Sequence, residues 1–253
     1  MQTSPKFTII TVTYNAVHWL ERTILSILSQ SYPNLEYIII DGDSKDGTID
    51  LIKQYAPGIS FWISEPDKGI YDAMNKGLQH ATGDYVWFLN AGDTLPNADT
   101  IQRIATKIGK RKNLPDVIYG ETAIVDKDGK MLGMRRLKAP KKLSWKSFRM
   151  GMLVCHQSFI PKREIAPLYN LDYRLSADYD WCIRCLKQAK SVYHTRLILS
   201  HFLEAGISTQ QRKASLKERY AIMCKYYGKF ATVLLHVWFA IRFYWAKWFK
   251  GRV

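Results

Sequence analysis

The chain has 253 residues, of which 47% are hydrophobic and 23% are charged. Apolar side chains in this number bury a sizeable core in one large or two small domains, and they exclude an intrinsically disordered protein. The formal net charge of +15 at pH 7 favours anionic partners such as phosphorylated substrates, nucleic acids or membrane surfaces.

The charge is divided unevenly along the chain. Residues 1–129 contain 12 Lys/Arg and 16 Asp/Glu, a net charge of −4. Residues 130–163 contain ten basic residues and no acidic one, and residues 212–253 contain ten basic residues and a single acid, Glu218. This pattern predicts a cation site in the acidic half and an anionic substrate or surface near the basic half.

The cysteines and the first residues bear on the compartment in which the protein resides. Four cysteines do not make a disulfide framework in a chain of this size. Cys182 and Cys185 have the spacing of a redox motif, but they lie in a helical pattern with no second pair to complete a zinc site, so we predict core thiols. No basic and apolar leader precedes the first predicted strand, and we therefore expect the protein in the cytosol.

Predicted strands and helices alternate along the first third of the chain. Runs of β-branched and aromatic residues predict buried strands at residues 7–14, 37–40, 59–63 and 85–89. Apolar residues at helical spacing predict helices at residues 15–31, 48–55 and 70–78. This alternation is typical of an α/β fold with a mostly parallel central sheet.

Polar residues follow each of these predicted strands, namely Tyr14-Asn15, Asp41, Glu65 and Asn90. Because ligands of open α/β sheets bind beyond the carboxyl ends of the strands, we expect a nucleotide to lie along this edge. The loop Asn90-Ala91-Gly92-Asp93 offers a carboxylate beside a glycine, which suits a divalent cation and a phosphate-bearing substrate. The alternative is that Asn90 and Asp93 form only a polar turn.

The second half of the chain has fewer regular patterns. It predicts a helix at 99–112, strands at 116–120 and 154–160, a hairpin at 123–130 with an Asp-Gly turn, and a helix through residue 186. The apolar part of residues 230–250 is too short to span a bilayer, which needs roughly 20 apolar residues. Its tryptophans and basic residues predict docking on a membrane surface, and the alternative is a helix packed on the domain or on a second subunit.

Four stretches resemble family 2 of the inverting glycosyltransferases: IITVTYN at 9–15, IDGDSKDGT at 40–48, DKGIYDAMNKG at 67–77 and GDYVWFLNAGD at 83–93. The resemblance covers roughly residues 6 to 208 and is nearest to bacterial enzymes that build exopolysaccharide, capsule or O-antigen. It implies the GT-A fold, which is Rossmann-like, with helices on both faces of the sheet. We expect a GT-A domain at residues 1–211 and a basic, aromatic-rich segment of amphipathic helices at 212–253.

The resemblance also implies the residues that bind the nucleotide-sugar donor: Val12, Thr13, Tyr14, Asp41, Asp43, Lys68, Lys76, Asn90 and His156. The first three would lie against the nucleobase, and Asp41 would accept a hydrogen bond from the base or the ribose. Family members often have a second acid after Asp41, where this chain has Gly42. Asp43 is the candidate substitute; for both Asp43 and Asp46 the alternative is an Asx-turn that caps the next helix, and we predict this turn for Asp46.

The metal motif of the family is usually Asp-any-Asp, and this chain departs from it. Asn90 replaces the first acid and would bind the ribose, while the remaining acid, Asp93, is predicted to ligate Mg²⁺ or Mn²⁺. Family members often place an arginine on the diphosphate where this chain has Met74. Lys68, Lys76 or the later basic stretch would have to replace that arginine.

The catalytic base of the family is the aspartate of an acidic pair at the start of a helix beside the acceptor. The matching position is Asp178, with Asp180 as the second candidate, and the alternative for Asp178 is a helix N-cap. Inversion requires one carboxylate, which takes the proton of the attacking hydroxyl. His156 matches a histidine that faces the diphosphate, although a hydrogen-bonded core histidine is an alternative.

The leading hypothesis is an inverting glycosyltransferase on the cytosolic face of the inner membrane. Its expected partners are a nucleotide sugar, expected to be UDP-linked, a lipid-linked saccharide acceptor and an anionic membrane surface; homo-oligomers are left open. A nucleic-acid-binding protein is a weaker alternative, because acidic strand-end loops repel phosphate unless a metal intervenes. A nucleotidyltransferase usually has a Gly-rich, basic loop after the first strand, where this chain has Tyr14-Asn15-Ala16.

Overall fold

The computed structural model describes residues 4–204 and 212–250. Its first part alternates strands and helices: β1 Phe7–Thr13, α1 Val17–Leu28, β2 Leu35–Asp41, α2 Thr48–Tyr55, β3 Phe61–Ser64, α3 Ile70–His80 and β4 Tyr85–Phe88. The four strands form a parallel sheet in the order β3-β2-β1-β4. The predicted α/β alternation is confirmed.

A second sheet is built around the long strand β5 Val117–Val125, which follows helix α4 Thr100–Gly109. Its other strands are β6 Met131–Met134, β7 Phe159–Pro161 and β8 Val192–Leu203. Strands β6 and β7 pair with β5 antiparallel, whereas β8 pairs with it parallel. An isolated bridge between Tyr85 and Lys162 joins the two sheets.

Two sequence expectations differ from the structure here. Within the predicted strand 154–160, His156–Ser158 form a 3-10 turn, closed by the Ser158 N–H on the Cys155 carbonyl, and the strand is limited to Phe159–Pro161. The prediction was wrong because His156 and Gln157 make hydrogen bonds to distant residues rather than to a neighbouring strand. The sequence analysis also missed strand β8, whose polar residues His194, Thr195 and Arg196 interrupt the apolar pattern.

The parallel sheet is covered on both faces. One face packs on α1 and α4 through residues such as Leu20, Ile24 and Ile101. The other face packs on α3 and on α5, Ala177–Gln188, through residues such as Met74 and Trp181. Every residue of β1 is buried, which agrees with its β-branched side chains on both parities.

Two helices complete the part of the chain that the structure describes, α6 Arg212–Tyr227 and α7 Lys229–Lys250. Ile222 and Met223 of α6 are buried in the core cluster of α3 and α5. Gly228, with φ of 83°, separates the two helices. None of the described helices is both long and apolar enough to span a bilayer. The division of the chain at residue 211 stays a prediction.

The thiols lie as predicted. Cys155, Cys182 and Cys185 are buried and unbridged, and Cys224 is partly buried. Burial raises the pKa of the first three thiols, so they are poor nucleophiles near neutral pH.

Candidate active site

The carboxyl ends of β1, β2 and β4 bring five of the predicted donor residues together: Val12, Thr13, Tyr14, Asp41 and Asn90. Thr13 pairs in register with Asp41, and the Ala91 N–H, next to Asn90, lies 3.4 Å from the Val12 carbonyl oxygen. Tyr14 follows β1 and is 65% exposed, which leaves its ring face available for stacking. We call this set of residues the strand-end edge.

Asp41 is buried and already has protein partners. Its carboxylate accepts hydrogen bonds from the Ser44 N–H (2.9 Å), the Ser44 hydroxyl (2.5 Å) and the Ser64 hydroxyl (2.6 Å). These bonds fix the loop after β2 against the end of β3. The predicted contact of Asp41 with the base or ribose stays a prediction.

Two other polar atoms of the strand-end edge have no protein partner. Thr13 Oγ1 and Asn90 Oδ1 are buried, and no described residue makes a hydrogen bond to either. An unsatisfied buried polar atom costs about 1–3 kcal/mol. Two such atoms on neighbouring strands indicate a place where a ligand supplies the missing hydrogen bonds.

Asp67, in the loop before α3, lies in the space that a side chain at position 42 would need. A Cβ built on Gly42 would lie 2.5 Å from Asp67 Oδ2 and 3.3 Å from Tyr14 Cδ2. The other oxygen, Asp67 Oδ1, accepts the Gly69 N–H at 2.7 Å. Asp67 was not among the predicted site residues. The signal for it in the sequence was Gly42, which has no side chain where the family often has an acid and so leaves room for Asp67.

The loop after β2 holds the two remaining acids of that motif. Asp43 has φ of 66° and pairs with Lys45 at 2.5 Å, on the surface, where ion pairs contribute little. Asp46 accepts the Thr48 N–H and hydroxyl through Oδ1 and the Val17 N–H through Oδ2. Burial raises the pKa of Asp46, but these hydrogen bonds outweigh it and lower that pKa overall. The predicted Asx-turn at Asp46 is confirmed.

The lysines near α3 differ in their surroundings, and so in whether they can bind a ligand phosphate. Lys76 Nζ binds the Pro66 carbonyl oxygen and Glu65 Oε1, both at 2.8 Å, so it fastens the loop before α3. Lys68 is exposed. Met74 is buried in the core, and α3 therefore supplies no arginine to the strand-end edge.

Asp93 is buried, and both of its oxygens accept protein hydrogen bonds. The Leu203 N–H binds Oδ1 at 3.0 Å, and Gln157 Nε2 binds Oδ2 at 2.9 Å. Burial raises the pKa of Asp93 to about 7, although both hydrogen bonds and the charge of Arg22 act in the opposite direction. In this arrangement Asp93 ties the loop after β4 to the end of β8.

The residues as they stand do not fit a divalent cation. The two oxygens of Asp93 already accept hydrogen bonds, and within residues 4–204 and 212–250 no three His, Cys, Asp or Glu side chains are grouped to hold a metal. The assignment of Mg²⁺ or Mn²⁺ to Asp93 stays a prediction.

Asp178 is the second residue of α5 and is half-buried. Its Oδ1 accepts the Tyr71 hydroxyl at 3.2 Å and the Tyr179 N–H at 2.8 Å, while Oδ2 accepts no hydrogen bond from the described residues. Tyr71 belongs to the first turn of α3, four residues after Asp67. The first turn of α3 therefore connects the strand-end edge to the Asp178 carboxylate.

His156 lies in an aromatic cluster with Phe88, Tyr169 and Trp181. It is 4% exposed, stacks on Phe88, and shares a 2.6 Å hydrogen bond between Nε2 and the Tyr169 hydroxyl. Burial lowers the pKa of His156 to about 4, although the charge of Asp178 acts to raise it. The ring is therefore neutral near pH 7, and these contacts agree with the core-histidine alternative; its contact with a diphosphate stays a prediction.

Asp180, two residues after Asp178, has no exposed side-chain surface. It accepts Arg184 Nε at 2.6 Å, the Tyr226 hydroxyl at 2.8 Å and Lys225 Nζ at 3.3 Å. These partners join α5 to α6, which gives Asp180 a structural role in this arrangement. Its assignment as the second candidate base stays a prediction.

Known proteins support the resemblance found in the sequence. The family model described as Glycosyl transferase family 2 matches residues 8–166. A PGL/p-HBAD biosynthesis glycosyltransferase of Mycobacterium tuberculosis (strain ATCC 25177 / H37Ra) is 33% identical over 211 residues, which cover 80% of this chain and 78% of that protein.

Solved structures support the fold. S. aureus TarS 1-349 in complex with UDP-GlcNAc has a TM-score of 0.71 at 16% identity, covering 86% of this chain and 64% of that one; the chain thus spans a little under two thirds of that structure. The mannosyltransferase PcManGT from Pyrobaculum calidifontis, in complex with GDP-Man and Mn²⁺, has a TM-score of 0.65 at 18% identity, covering 93% and 71%. The predicted GT-A fold is confirmed, and the chain, a glycosyltransferase, belongs to glycosyl transferase family 2.

Proposed function

We propose that this glycosyltransferase transfers a sugar with inversion from a nucleotide-sugar donor to a hydroxyl of a lipid-linked saccharide, in the synthesis of a bacterial surface polysaccharide. The observation that carries the proposal is the link between two parts of the site through α3. Its first turn places the Tyr71 hydroxyl on Asp178, and the loop before it places Asp67 beside Tyr14 and Gly42. A donor on the strand-end edge would thus have a carboxylate within reach of its reacting carbon.

The donor would bind through its nucleotide along the strand-end edge. The exposed Tyr14 ring offers a stacking surface for a base, and Asp67 Oδ2 offers an acceptor for a base N–H. Thr13 Oγ1 and Asn90 Oδ1, which lack partners among the described residues, would bind ribose hydroxyls. Relatives of the same fold bind UDP-GlcNAc in one case and GDP-Man in another; for this chain we propose a UDP-linked sugar.

The chemistry would be a single displacement at the anomeric carbon. The acceptor oxygen forms its bond to that carbon from the face opposite the diphosphate, and the bond to the diphosphate oxygen breaks with its electron pair. Asp178 Oδ2 takes the proton of the attacking hydroxyl. Tyr71 and the Tyr179 N–H hold Oδ1 and so orient the carboxylate.

A divalent cation belongs to the proposal only as an expectation. PcManGT was solved with Mn²⁺, but Asp93 here has both oxygens bound to protein donors. We therefore derive no catalytic step through a metal and leave the charge of the leaving diphosphate to cationic side chains.

The acceptor would be reached from the membrane through the C-terminal helix. Apolar side chains of α7 are exposed, among them Phe230 at 79% and Trp248 at 86%, and residues 212–253 carry ten basic residues against one acid. Exposed aromatics with basic neighbours suit the headgroup region of an anionic leaflet. Co-sedimentation with anionic vesicles tests this step; replacing exposed Ile241 and Leu234 by aspartate should release the protein.

The central experiment is a panel of nucleotide sugars, assayed by calorimetry and by release of the nucleoside diphosphate, with and without Mn²⁺. We expect one UDP-sugar to bind and to be slowly hydrolysed, and the product formed with an acceptor to have the opposite anomeric configuration by NMR. Retention of configuration would disprove the single displacement. No binding of any nucleotide sugar in either condition would disprove the proposed function.

A further inference from the structure

Helix α6 is bound to the loop that leads into α5, the helix that carries the candidate base. The carboxylate of Glu218 accepts the N–H groups of Arg174 and Leu175, each at 2.9 Å. The hydroxyls of Ser215 and Ser176 lie 2.9 Å apart. Because residues 174–176 lead directly into α5, these contacts fix α6 relative to Asp178.

The residue after Glu218 is Arg219, which is half-buried. Its Nε is buried and makes no hydrogen bond to any described residue. Within residues 4–204 and 212–250 its guanidinium is also absent from the ion pairs shorter than 4.0 Å. Burial raises the pKa of the Tyr71 and Tyr179 hydroxyls, and the charge of Arg219 lowers both. Arg219 directly follows Glu218, which binds the loop leading into α5, so its buried Nε lies on the part of α6 that packs beside the start of α5.

Three other cations near the site have protein partners. Lys76 binds Glu65 and the Pro66 carbonyl, and Arg184 and Lys225 bind Asp180. Position 74, in α3, carries a buried methionine. Arg219 is thus a partly buried guanidinium whose Nε has no partner among the described residues.

We infer that Arg219 binds a phosphate oxygen of a diphosphate group in this site. The planar guanidinium presents several N–H donors in a fork that matches two phosphate oxygens, and the bond strengthens where water is excluded. The diphosphate has two sources under the proposed function, on which this inference rests: the leaving group of the donor and the lipid-linked pyrophosphate of the acceptor. In either case a ligand supplies the partner that the described residues do not give to Nε.

The test compares calorimetric binding of two probes to wild-type protein, Arg219→Gln and Arg219→Lys. One probe is UDP, with GDP as the substitute if only GDP binds the wild type, and the other is farnesyl diphosphate added at saturating nucleotide. We expect Arg219→Gln to weaken one of the two probes roughly ten- to hundredfold. Arg219→Lys, which keeps the charge but loses the fork, should weaken the same probe less.

The two probes separate the sources. Weaker UDP binding with unchanged UMP binding assigns Arg219 to the donor diphosphate, and weaker farnesyl diphosphate binding alone assigns it to the acceptor. Lys217→Gln, an exposed lysine on the same helix, is the matched control and should change neither. If Arg219→Gln fails to fold, Arg219→Lys is judged by the same criterion.

Unchanged binding of both probes to the folded Arg219 variants overturns the inference and leaves the proposed function standing. Failure of the wild-type protein to bind any nucleotide or nucleotide sugar contradicts the proposed function instead.

Discussion

The strand-end edge and the contact between α5 and α6 both contain carboxylates that bind protein donors. The two regions differ in how many of the carboxylate oxygens accept such a hydrogen bond. Asp41 at the edge and Asp93 in the adjoining loop each have both oxygens bound to protein donors. Where α6 meets α5, Asp178 Oδ2 and Arg219 Nε have no hydrogen-bond partner among the described residues. Because buried polar groups are normally satisfied, the carboxylates of Asp41 and Asp93 leave no oxygen for a ligand, whereas the carboxylate of Asp178 keeps Oδ2 for one.

The number of carboxylate oxygens bound to protein donors therefore distinguishes a structural acid from a candidate catalytic acid better than the place of the acid in the fold does. Asp41 and Asp93 stand where a parallel sheet presents its ligands, yet they fasten loops. Asp178 stands at a helix N-terminus, where an acid is usually a cap, yet one of its oxygens accepts no hydrogen bond from the part of the chain that the structure describes. Within the edge, Thr13 Oγ1 and Asn90 Oδ1 are the atoms for which residues 4–204 and 212–250 offer no partner.

The largest expected effect is on turnover in Asp178→Asn. An amide cannot take the proton of the acceptor hydroxyl, so we expect turnover to fall roughly 10²- to 10⁴-fold. Binding of the nucleoside diphosphate should stay within a few-fold, because the strand-end edge is untouched. Steady-state kinetics and calorimetry on the same preparation measure both.

Asp172→Asn is the matched control for that variant. Asp172 is exposed in the loop before α5, so the change removes the same charge close by without touching Oδ2 of Asp178. Near-normal turnover in Asp178→Asn, or an equal loss in Asp172→Asn, would remove Asp178 from the proposed mechanism.

The second effect concerns stability and pH in Asp93→Asn. The pKa of Asp93 is raised to about 7 in the folded protein, so the native state holds a proton that the unfolded state releases above its ordinary pKa. The stability from Asp93 is fully present below about pH 4 and is lost as pH rises through about 7. Urea unfolding at about pH 5 and about pH 8 should show wild-type stability falling by about 2–3 kcal/mol relative to Asp93→Asn.

Manganese distinguishes this structural role from a ligand role. If Asp93 held the ion, millimolar Mn²⁺ at about pH 8 would stabilise the wild type by mass action and not the variant. We expect no such difference without nucleotide, because the Leu203 N–H and Gln157 already bind the two oxygens. A clear difference would restore Asp93 as a metal ligand.

Much of the fold was predictable because its local patterns agree with its tertiary structure. Strands β1 and β2 are β-branched on both parities, and α1 and α4 have apolar residues at helical spacing. The turn at His156–Ser158 was not predictable, because it depends on bonds from His156 to Tyr169 and from Gln157 to Asp93. No local pattern contains those partners.

The sequence predicted where the site residues lie in the fold but not which of them are already bound by other protein groups. The order of strands placed Thr13, Asp41 and Asn90 on one edge, as the structure has them. The partner of Asp93 at Leu203 lies 110 residues away, so its satisfied state was not visible in the sequence. Arg219 is one of the ten basic residues of the C-terminal segment. Charge alone does not distinguish a half-buried guanidinium from an exposed one.

The smallest expected effect is on stability in Asp180→Asn, which tests whether Asp180 differs in role from Asp178 in the same helix. Asp180→Asn keeps the shape of the side chain but removes the charge that Arg184 and Lys225 share, and we expect a loss of about 1–2 kcal/mol in the free energy of unfolding. The loss stays at the low end for a buried pair because Arg184 and Lys225 are 25% and 49% exposed. Turnover of the folded fraction should stay within a few-fold.

Asp50→Asn, which breaks an exposed pair with Lys53, is the control and should cost less than about 0.5 kcal/mol. Should Asp180→Asn abolish turnover without loss of stability, the roles of Asp178 and Asp180 would have to be exchanged.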